Sequence, residues 1–414
     1  MKLSWATLAR GDDHGYAVVA KELCQAVEKA GAEFTKPWAF GADVTVVFAL
    51  PSVYFFQNGQ PRRDIVWHTM VEAQPVPAEW VAILNLCGAV WAPSRWVAEQ
   101  FKEHGVTVPI FVSGYGISPR IHHPPVEQRP LNAPLRVGCW GDTFGSRKNV
   151  SQAIEAFLLA DLPADATLEV KVNAPRLLTP QHLRVAGEID SRVVIHNGSW
   201  TAQDLTDWLR SLDVMVYVSG GEGYGLMPLE TMACGVPVIS MIHTGMADYM
   251  TSVNTIEVPV AEMVPSTSYY HLFDYEAEHR RARTEDVADK LRWAYFHRRE
   301  LQAVGRRAAA DVAGMTWERA GVDALAALEK VYRGWDADSY ISWVSAKVGR
   351  EVSLGEAALY SALSHRSGDV FLSDEELAAL VDGRDTRLPD ADALGGNGRT
   401  SQAARTYHEA SHGQ

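Results

Sequence analysis

The segment from Gly220 to Ile239 carries the residues whose types and spacing most clearly point to chemistry. Glu222 and Glu230 are separated by seven residues, and four of the six positions from Gly220 to Gly225 are glycine. Glycines let backbone N–H groups approach a ligand closely. A helix start presents unpaired N–H groups and a partial positive charge, which suit a phosphate. Carboxylates only accept hydrogen bonds and therefore pair with sugar and ribose hydroxyls. Together these features indicate a nucleotide-sugar site.

The elements that would position these residues can be predicted from the pattern around them. The apolar, β-branched run Val214–Val218 predicts a buried strand before the glycines. Pro228 suits the first position of a helix, and it predicts a short helix that extends to about Cys234. Gly235 would end that helix, and Val236–Ile239 would form the next strand. Such a unit is parallel and right-handed, and ligands bind beyond the carboxyl ends of its strands.

Each carboxylate also has a structural interpretation. With Pro228 as the first helical residue, Glu230 would be the third, where the glutamate of a capping box lies. The reciprocal Ser or Thr is absent, because Met227 would be the capping residue. Glu222 has the alternative of being a solvated loop charge.

The segment EGYGLMPLETMACGVPVI resembles the E-x7-E signature of retaining GT-B glycosyltransferases of the large family 4 type. The resemblance implies an α/β fold of two Rossmann-like, doubly wound domains that face each other across a cleft. It also implies metal-independent transfer of a sugar from a nucleotide diphosphate sugar to a hydroxyl acceptor, with retention of configuration. Glu222 would be a catalytic residue that contacts the donor sugar, and Glu230 would bind the ribose. Other donor contacts are expected at Gly223, Tyr224, Gly225 and Leu226.

A second cluster of charge lies at the start of another predicted helix. Arg147 and Lys148 follow the predicted strand Leu135–Trp140 and precede the helical pattern Ser151–Leu159. The helix dipole disfavours cations there by about 0.3–1 kcal/mol each, and an anionic partner would reverse this. SRKNVSQAIEAF resembles the family's Arg–Lys segment, which implies that both residues grip the donor diphosphate and assist catalysis. Solvated surface charges are the alternative.

Two further candidate residues lie in the N-terminal part of the chain. Gly15 precedes the helical pattern Ala17–Ala30, and this loop resembles the family's first loop, which faces the donor diphosphate. The family often has two adjacent glycines there, whereas this chain has Gly15 beside His14, and a plain strand-to-helix turn is the alternative. His68 ends the predicted strand Asp64–His68, where residues of a cleft lie. It is a catalytic candidate that could bond the donor sugar or the acceptor, with a structural role as the alternative.

Length and composition set the organisation of the chain. At 414 residues, two domains are expected, 1–130 and 131–333, with prolines between them. A helical extension, 334–381, and a polar disordered tail, 382–414, would follow. The resemblance covers roughly residues 1–333. There is no apolar run of transmembrane length and no signal-peptide pattern, so a cytoplasmic protein is expected.

Charge and cysteines limit the possible partners. The net charge of −13 disfavours a large nucleic-acid interface. The four cysteines are widely spaced and form no metal pattern, and neither a metal nor another cofactor is expected beside the nucleotide sugar. The acceptor stays open among a saccharide, a lipid-linked glycan, a protein, a metabolite and, least expected, a modified nucleic-acid base. A synthase or phosphorylase on the same fold and a non-catalytic nucleotide-sugar-binding protein are the alternative functions, and the sequence does not indicate the oligomeric state.

Overall fold

The computed structural model describes residues 1–7, 15–35, 42–51, 62–141, 147–172, 190–266 and 276–334. The chain divides into two units, Met1–Gly334 and Trp335–Gln414. The second unit lies outside the described residues. The predicted helical extension, except for its first residue, and the predicted disordered tail lie there too.

The N-terminal domain is built on a six-stranded parallel sheet with the order β2-β1-β3-β4-β5-β6. Its buried strands are rich in valine and other apolar residues, as expected for a parallel sheet that is covered on both faces. The strands are β1 (Lys2–Thr7), β2 (Glu33–Thr35), β3 (Val44–Phe48), β4 (Arg62–His68), β5 (Cys87–Ala92) and β6 (Ile110–Val112). The helices are α1 (Gly15–Lys29), α2 (Ala78–Leu84) and α3 (Arg95–Glu103).

The C-terminal domain is built on a second six-stranded parallel sheet with the order β12-β11-β10-β7-β8-β9. The strands are β7 (Arg136–Gly141), β8 (Thr167–Val172), β9 (Val193–Asn197), β10 (Val214–Val216), β11 (Val238–Ser240) and β12 (Ile256–Glu257). The helices are α4 (Val150–Leu159), α5 (Ala202–Ser211), α6 (Leu226–Ala233), α7 (Thr284–Phe296), α8 (Arg298–Val312) and α9 (Trp317–Gly334). The two predicted doubly wound domains are therefore confirmed.

The last helix returns to the N-terminal domain. Helix α9 packs against α1, and a side chain at Gly321 would collide with the backbone of Ala26. The predicted boundary near residue 130 lies between β6 and β7, the last strand of one sheet and the first of the other. The exact domain limits stay predictions. None of the helices in the described ranges is long and apolar enough to cross a membrane.

The helix that carries Glu230 begins earlier than the sequence predicts. Helix α6 starts at Leu226, after Gly225 with φ of 93°, so the expectation that Pro228 opens the helix is wrong. Pro228 is the third helical residue, where its missing N–H still costs no hydrogen bond. Glu230 is consequently the fifth residue, and the capping-box interpretation does not apply to it. Gly235, with φ of 76°, follows the helix as predicted.

A small antiparallel sheet, which the sequence analysis did not predict, joins the two domains. It consists of β13 (Glu262–Pro265) and β14 (Glu278–Arg281). On one side Glu278 and Gln74 exchange two backbone hydrogen bonds of 2.8 and 3.0 Å. On the other side the Arg280 N–H donates to the Gly220 carbonyl over 3.0 Å. Strand β14 therefore connects the segment after β4 with the glycine-rich loop.

The glycine-rich loop packs directly against the N-terminal domain. A side chain at Gly221 would collide with the carbonyl oxygen of Glu72, and one at Gly223 would collide with Met70. The Ser94 hydroxyl donates to the Gly223 carbonyl over 2.7 Å. Nearby, Arg95 pairs with Asp248 at 3.0 Å. The loop is thus part of the contact between the two domains.

This contact predicts an asymmetry between two glycine substitutions. We expect Gly221→Ala to lower the free energy of unfolding by about 1–3 kcal/mol, because the added methyl must displace the Glu72 backbone. Gly314→Ala is the matched control, since no atom lies within 4 Å of its added Cβ. Chemical denaturation of both variants measures the difference. Equal stability of the two variants would contradict the contact at Gly221.

Candidate functional site

The candidate site lies where the strand order of the second sheet reverses. The sheet grows from β7 through β8 and β9 in one direction and from β10 through β11 and β12 in the other. Ligands of such sheets bind at this switch point, beyond the carboxyl ends of the strands. Val216 of β10 pairs with Cys139 of β7, so the chains leaving both strands emerge side by side. Arg147 and Lys148 follow β7, and Glu222 follows β10.

Glu222 lies at the centre of this cluster and is 5% exposed. Its Oε1 atom accepts four hydrogen bonds, from the Nζ of Lys148 (2.6 Å), the hydroxyls of Ser219 (2.6 Å) and Tyr217 (2.9 Å), and Arg147 (3.1 Å). No described residue donates to its Oε2 atom. Burial by itself raises the pKa of Glu222, but the charges of Lys148 and Arg147 outweigh it and hold the pKa well below its usual range. The side chain is therefore an ionised carboxylate with one oxygen occupied and one available.

Arg147 connects this carboxylate to the N-terminal domain. Its guanidinium pairs with Glu72 at 3.2 Å and with Glu222 at 3.1 Å, and it donates to the Gly221 carbonyl over 2.5 Å. Glu72 is itself 7% exposed. Because two cations, Arg147 and Lys148, face two carboxylates, the buried charges balance.

Lys148 and the loop around it are held by further contacts. The Nζ of Lys148 donates to the Tyr217 hydroxyl over 3.0 Å and lies 5.5 Å from the ring centroid of Trp140. Asn149 follows with φ of 51°, and its amide donates to the Val218 carbonyl over 2.8 Å. The start of α4 is thereby fixed to the end of β10, which keeps both cations beside Glu222.

The predicted donor-binding residues after Glu222 lie at the start of α6. The Tyr224 hydroxyl donates to the Tyr115 carbonyl over 3.0 Å, and the Tyr249 hydroxyl donates to the Gly225 carbonyl over 2.6 Å. Leu226 is the first helical residue, where backbone N–H groups have no partner within the helix. The structure thus brings Gly223 to Leu226 next to Glu222, whereas their contact with a donor stays a prediction.

Glu230 lies further along α6, in a different environment. Its side chain is 13% exposed, and its carboxylate is 3.9 Å from the Nε2 atom of His122. Burial, with a smaller contribution from the negative charge of Glu22, raises the pKa of Glu230 to about 8. The carboxyl is therefore mostly protonated at neutral pH, and its predicted role at the ribose stays a prediction.

His68 lies in the core of the N-terminal domain and is fully buried. Its Nδ1 lies 2.9 Å from the Trp91 carbonyl, which only accepts, so Nδ1 carries the proton. The Nε2 atom consequently accepts from the Tyr115 hydroxyl over 3.1 Å. Burial lowers its pKa to about 3. Both nitrogens of this neutral ring are engaged within the protein, and the predicted catalytic role of His68 stays a prediction.

Gly15 is the first residue of α1 and is exposed. The loop before it, residues 8–14, lies outside the described residues. Its predicted contact with the donor diphosphate therefore also stays a prediction.

Sequence reasoning missed three residues of the cluster around Glu222. Tyr217 and Ser219 supply two of its four hydrogen bonds, and Glu72 pairs with Arg147. The hydroxyl-bearing residues Tyr217 and Ser219, which follow β10 at alternate positions, were an available signal for the first two. Glu72 lies four residues after His68, the end of a predicted strand, but no pattern in the sequence pairs it with Arg147, which lies 75 positions away.

Solved structures share this architecture. Sucrose-phosphate synthase of Thermosynechococcus elongatus superposes with a TM-score of 0.64 over 80% of this chain and 99% of that chain, at 13% identity. HepE of Anabaena, solved in complex with UDP and glucose, superposes with a TM-score of 0.58 over 80% of this chain and 100% of that chain, at 14% identity. The predicted GT-B fold is therefore confirmed.

Sequence comparison defines the family. Residues 95–323, more than half of the chain, match the family described as family 4 glycosyltransferases in conflict systems, and the chain belongs to this family.

Two curated relatives are similar over shorter segments. D-inositol 3-phosphate glycosyltransferase of Paenarthrobacter aurescens (strain TC1) is 27% identical over 175 residues, which are 42% of this chain and 38% of the relative. The lipopolysaccharide core biosynthesis mannosyltransferase LpsB of Rhizobium meliloti (strain 1021) is 31% identical over 148 residues, which are 32% of this chain and 40% of the relative. The chain spans about two fifths of the length of these relatives.

The buried carboxyl of Glu230 predicts a pH-dependent stability. The pKa of Glu230 is higher in the folded protein than in the unfolded chain. Its contribution to the free energy of unfolding is therefore fully present below about pH 4.5 and is lost as the pH rises through about 8. We expect the Glu230→Gln variant to gain stability relative to the wild type between pH 5 and pH 8, by up to about 1.4 kcal/mol per pH unit.

Denaturation midpoints measured across this pH range check the effect. Glu99→Gln is the control, because Glu99 is exposed on α3. A stability difference between Glu230→Gln and the wild type that stays constant with pH would contradict the raised pKa.

Proposed function

We propose that this protein is a retaining, metal-independent glycosyltransferase that moves a sugar from a nucleotide diphosphate sugar to a hydroxyl acceptor. The observation that carries the proposal is the cluster of Arg147, Lys148 and Glu222 at the switch point of the second sheet. The start of helix α6 lies directly after it in the chain. Membership of the family supports the same activity.

The two cations would stabilise the leaving nucleoside diphosphate. Negative charge grows on the leaving oxygen as the bond to the sugar breaks, and preorganised donors stabilise this charge. Arg147 and Lys148 would face the phosphates, and the amides of Gly225 and Leu226 would add hydrogen bonds. Arg147 and Lys148 are paired with Glu72 and Glu222 in this structure. We propose that the phosphates would take over these two cations from the carboxylates, so that no metal is needed.

Glu222 would have two tasks in this reaction. Through Oε1 it holds both cations in place. Its Oε2, which accepts no hydrogen bond from the described residues, would accept one from a hydroxyl of the transferred sugar. Glu230 would bind the ribose hydroxyls, and two hydroxyl donors would favour its ionised form.

The names of similar proteins indicate which donors and acceptors should be tested first. HepE was solved with UDP and glucose, and GtfA, a pneumococcal O-GlcNAc transferase, with UDP and GlcNAc. UDP-sugars are therefore the first donors to test. The relatives named for inositol phosphate and for the lipopolysaccharide core make phosphorylated polyols and saccharides the first acceptors.

Ligand-induced stabilisation tests the proposal most directly. We expect one class among UDP-, GDP-, ADP- and TDP-sugars to stabilise the protein by about 2.7 kcal/mol at 100 times its Kd. The protein should also hydrolyse that donor slowly without an acceptor, and EDTA should not slow it. NMR of the transferred product should show the anomeric configuration of the donor.

Each part of the proposal has its own contrary result. Inversion of the anomer contradicts retention, and loss of turnover with EDTA contradicts metal independence. Binding without any hydrolysis or transfer would favour the non-catalytic alternative. Turnover only with free glucose or a sugar phosphate, and not with polyol phosphates or oligosaccharides, would favour a synthase or phosphorylase.

The role of Lys148 gives a further prediction. Lys148→Ala should lower kcat/KM for the donor by roughly 10²–10³-fold, the scale of one charge-stabilising group. Lys102→Ala, which removes an exposed lysine from α3, is the control and should keep wild-type kinetics. Circular dichroism confirms that both variants are folded. A Lys148→Ala enzyme with near-normal kcat/KM would contradict the proposed contact with the diphosphate.

A further inference from the structure

Strand β14 of the small sheet is fixed beside the candidate site from two directions. Its Glu278 is hydrogen-bonded to Gln74 in the N-terminal domain, and its Arg280 is bonded to Gly220 in the glycine-rich loop. The Arg280 guanidinium also lies 5.9 Å from the ring centroid of Trp96 on α3. The residue between them, His279, is thereby held where the two domains meet.

The imidazole of His279 is buried without a partner. The residue is 1% exposed, and neither ring nitrogen has a hydrogen-bond partner among the described residues. The ring packs against Gly220 so closely that a side chain there would collide with it. A buried polar group without a partner costs free energy comparable to a lost hydrogen bond. Such a group beside a candidate site points to a partner that the ligand supplies.

A second histidine contacts the same loop segment. His243 is 7% exposed, and its Nε2–H donates to the Ser219 carbonyl over 3.1 Å. Its Nδ1 atom has no partner among the described residues. His243 is near enough to Glu222 and His279 for their charges to influence its pKa. The unpaired nitrogens of the two rings therefore lie around the loop that carries Glu222.

Both rings are neutral at neutral pH. Burial, and then the positive charge of Arg147, lowers the pKa of His279 to about 4. Burial, and then Arg280, lowers the pKa of His243 to about 4. A neutral imidazole carries one donor and one acceptor, which matches a hydroxyl group, since a hydroxyl also donates and accepts. An anion would instead favour a charged ring.

We propose that His279, assisted by His243, binds a hydroxyl group of the substrate beside the Arg147–Glu222 pair. The ligand chemistry is a polyhydroxylated molecule, and its two possible sources are the transferred sugar and the acceptor. The proposal rests on the proposed glycosyltransferase function. In this proposal the small sheet carries a substrate-binding side chain, His279, between the two domains.

Two substitutions of His279 separate binding from folding. His279→Asn keeps a donor and an acceptor on a shorter side chain, and His279→Phe keeps a planar ring without polar atoms. Because Phe removes an unpaired buried polar group, it should leave the ligand-free protein at least as stable as the wild type. His297→Asn, at an exposed histidine between α7 and α8, is the control and should retain wild-type kinetics.

Steady-state kinetics then use the nucleotide sugar that the wild type hydrolyses in the donor screen. We expect His279→Phe to reduce transfer kcat/KM by about tenfold, the factor for one neutral hydrogen bond, with a smaller loss in His279→Asn. Binding of the free nucleoside diphosphate, measured by calorimetry, should be unchanged in both. Slower donor hydrolysis without acceptor identifies the transferred sugar as the ligand. Unchanged hydrolysis with a raised acceptor KM identifies the acceptor.

The contrary results are distinct from a failure of the proposed function. If the wild type is active and both variants keep its kinetics, the inference is wrong and the glycosyltransferase function stands. If nucleoside diphosphate binding and melting temperature fall together with turnover, His279 has a structural role only and the inference is again wrong. A wild type that neither binds nor hydrolyses any nucleotide sugar would overturn both proposals.

Discussion

The rest of the site depends on the balance of buried charge around Glu222. Arg147 and Lys148 lie in a part of the protein where an unpaired cation is strongly destabilising, by about 3–5 kcal/mol when one partner is removed. Glu222 and Glu72 provide the compensating charges, and both are buried themselves. Because Glu72 belongs to the N-terminal domain and Glu222 to the C-terminal domain, Arg147 neutralises one carboxylate from each. The same ion pairs that hold the cations therefore also hold the domains together.

This balance has a consequence for a diphosphate ligand. A nucleoside diphosphate would bring additional negative charge to cations that are already neutralised. The carboxylates and the phosphates would then compete for the same guanidinium and ammonium groups. Of the two carboxylate oxygens of Glu222, Oε1 is the one that accepts hydrogen bonds from Arg147 and Lys148. The hydroxyls of Tyr217 and Ser219 also donate to this atom. Glu222 can thus lose a cation to a phosphate and remain a hydrogen-bonded, ionised carboxylate.

The two parallel sheets could be predicted from the sequence, whereas the contacts between the domains could not. Apolar, β-branched runs such as that before Gly220 predict buried parallel strands. The small sheet was not predictable, since its strand Glu278–Arg281 consists of charged residues and a histidine without alternation of apolar residues. The start of α6 was misplaced because Gly225 adopts a positive φ and caps the helix before Pro228. The pairing of Arg147 with Glu72 depends on tertiary structure, which no local pattern encodes.

The glycine-rich loop illustrates how a local pattern can be correct while its physical reason differs. The sequence favours glycine there so that backbone amides can approach a ligand. In the structure, Gly220 makes room for His279, Gly221 for the Glu72 carbonyl and Gly223 for Met70. These three glycines therefore serve the approach of other parts of the protein, and Gly225 serves the positive φ before the helix. A loop that must contact both the N-terminal domain and the small sheet needs small residues on several sides. Glu222 is the residue with a long side chain between Gly221 and Gly223. The glycines on either side of Glu222 are thus explained by the packing of the domains and of the small sheet.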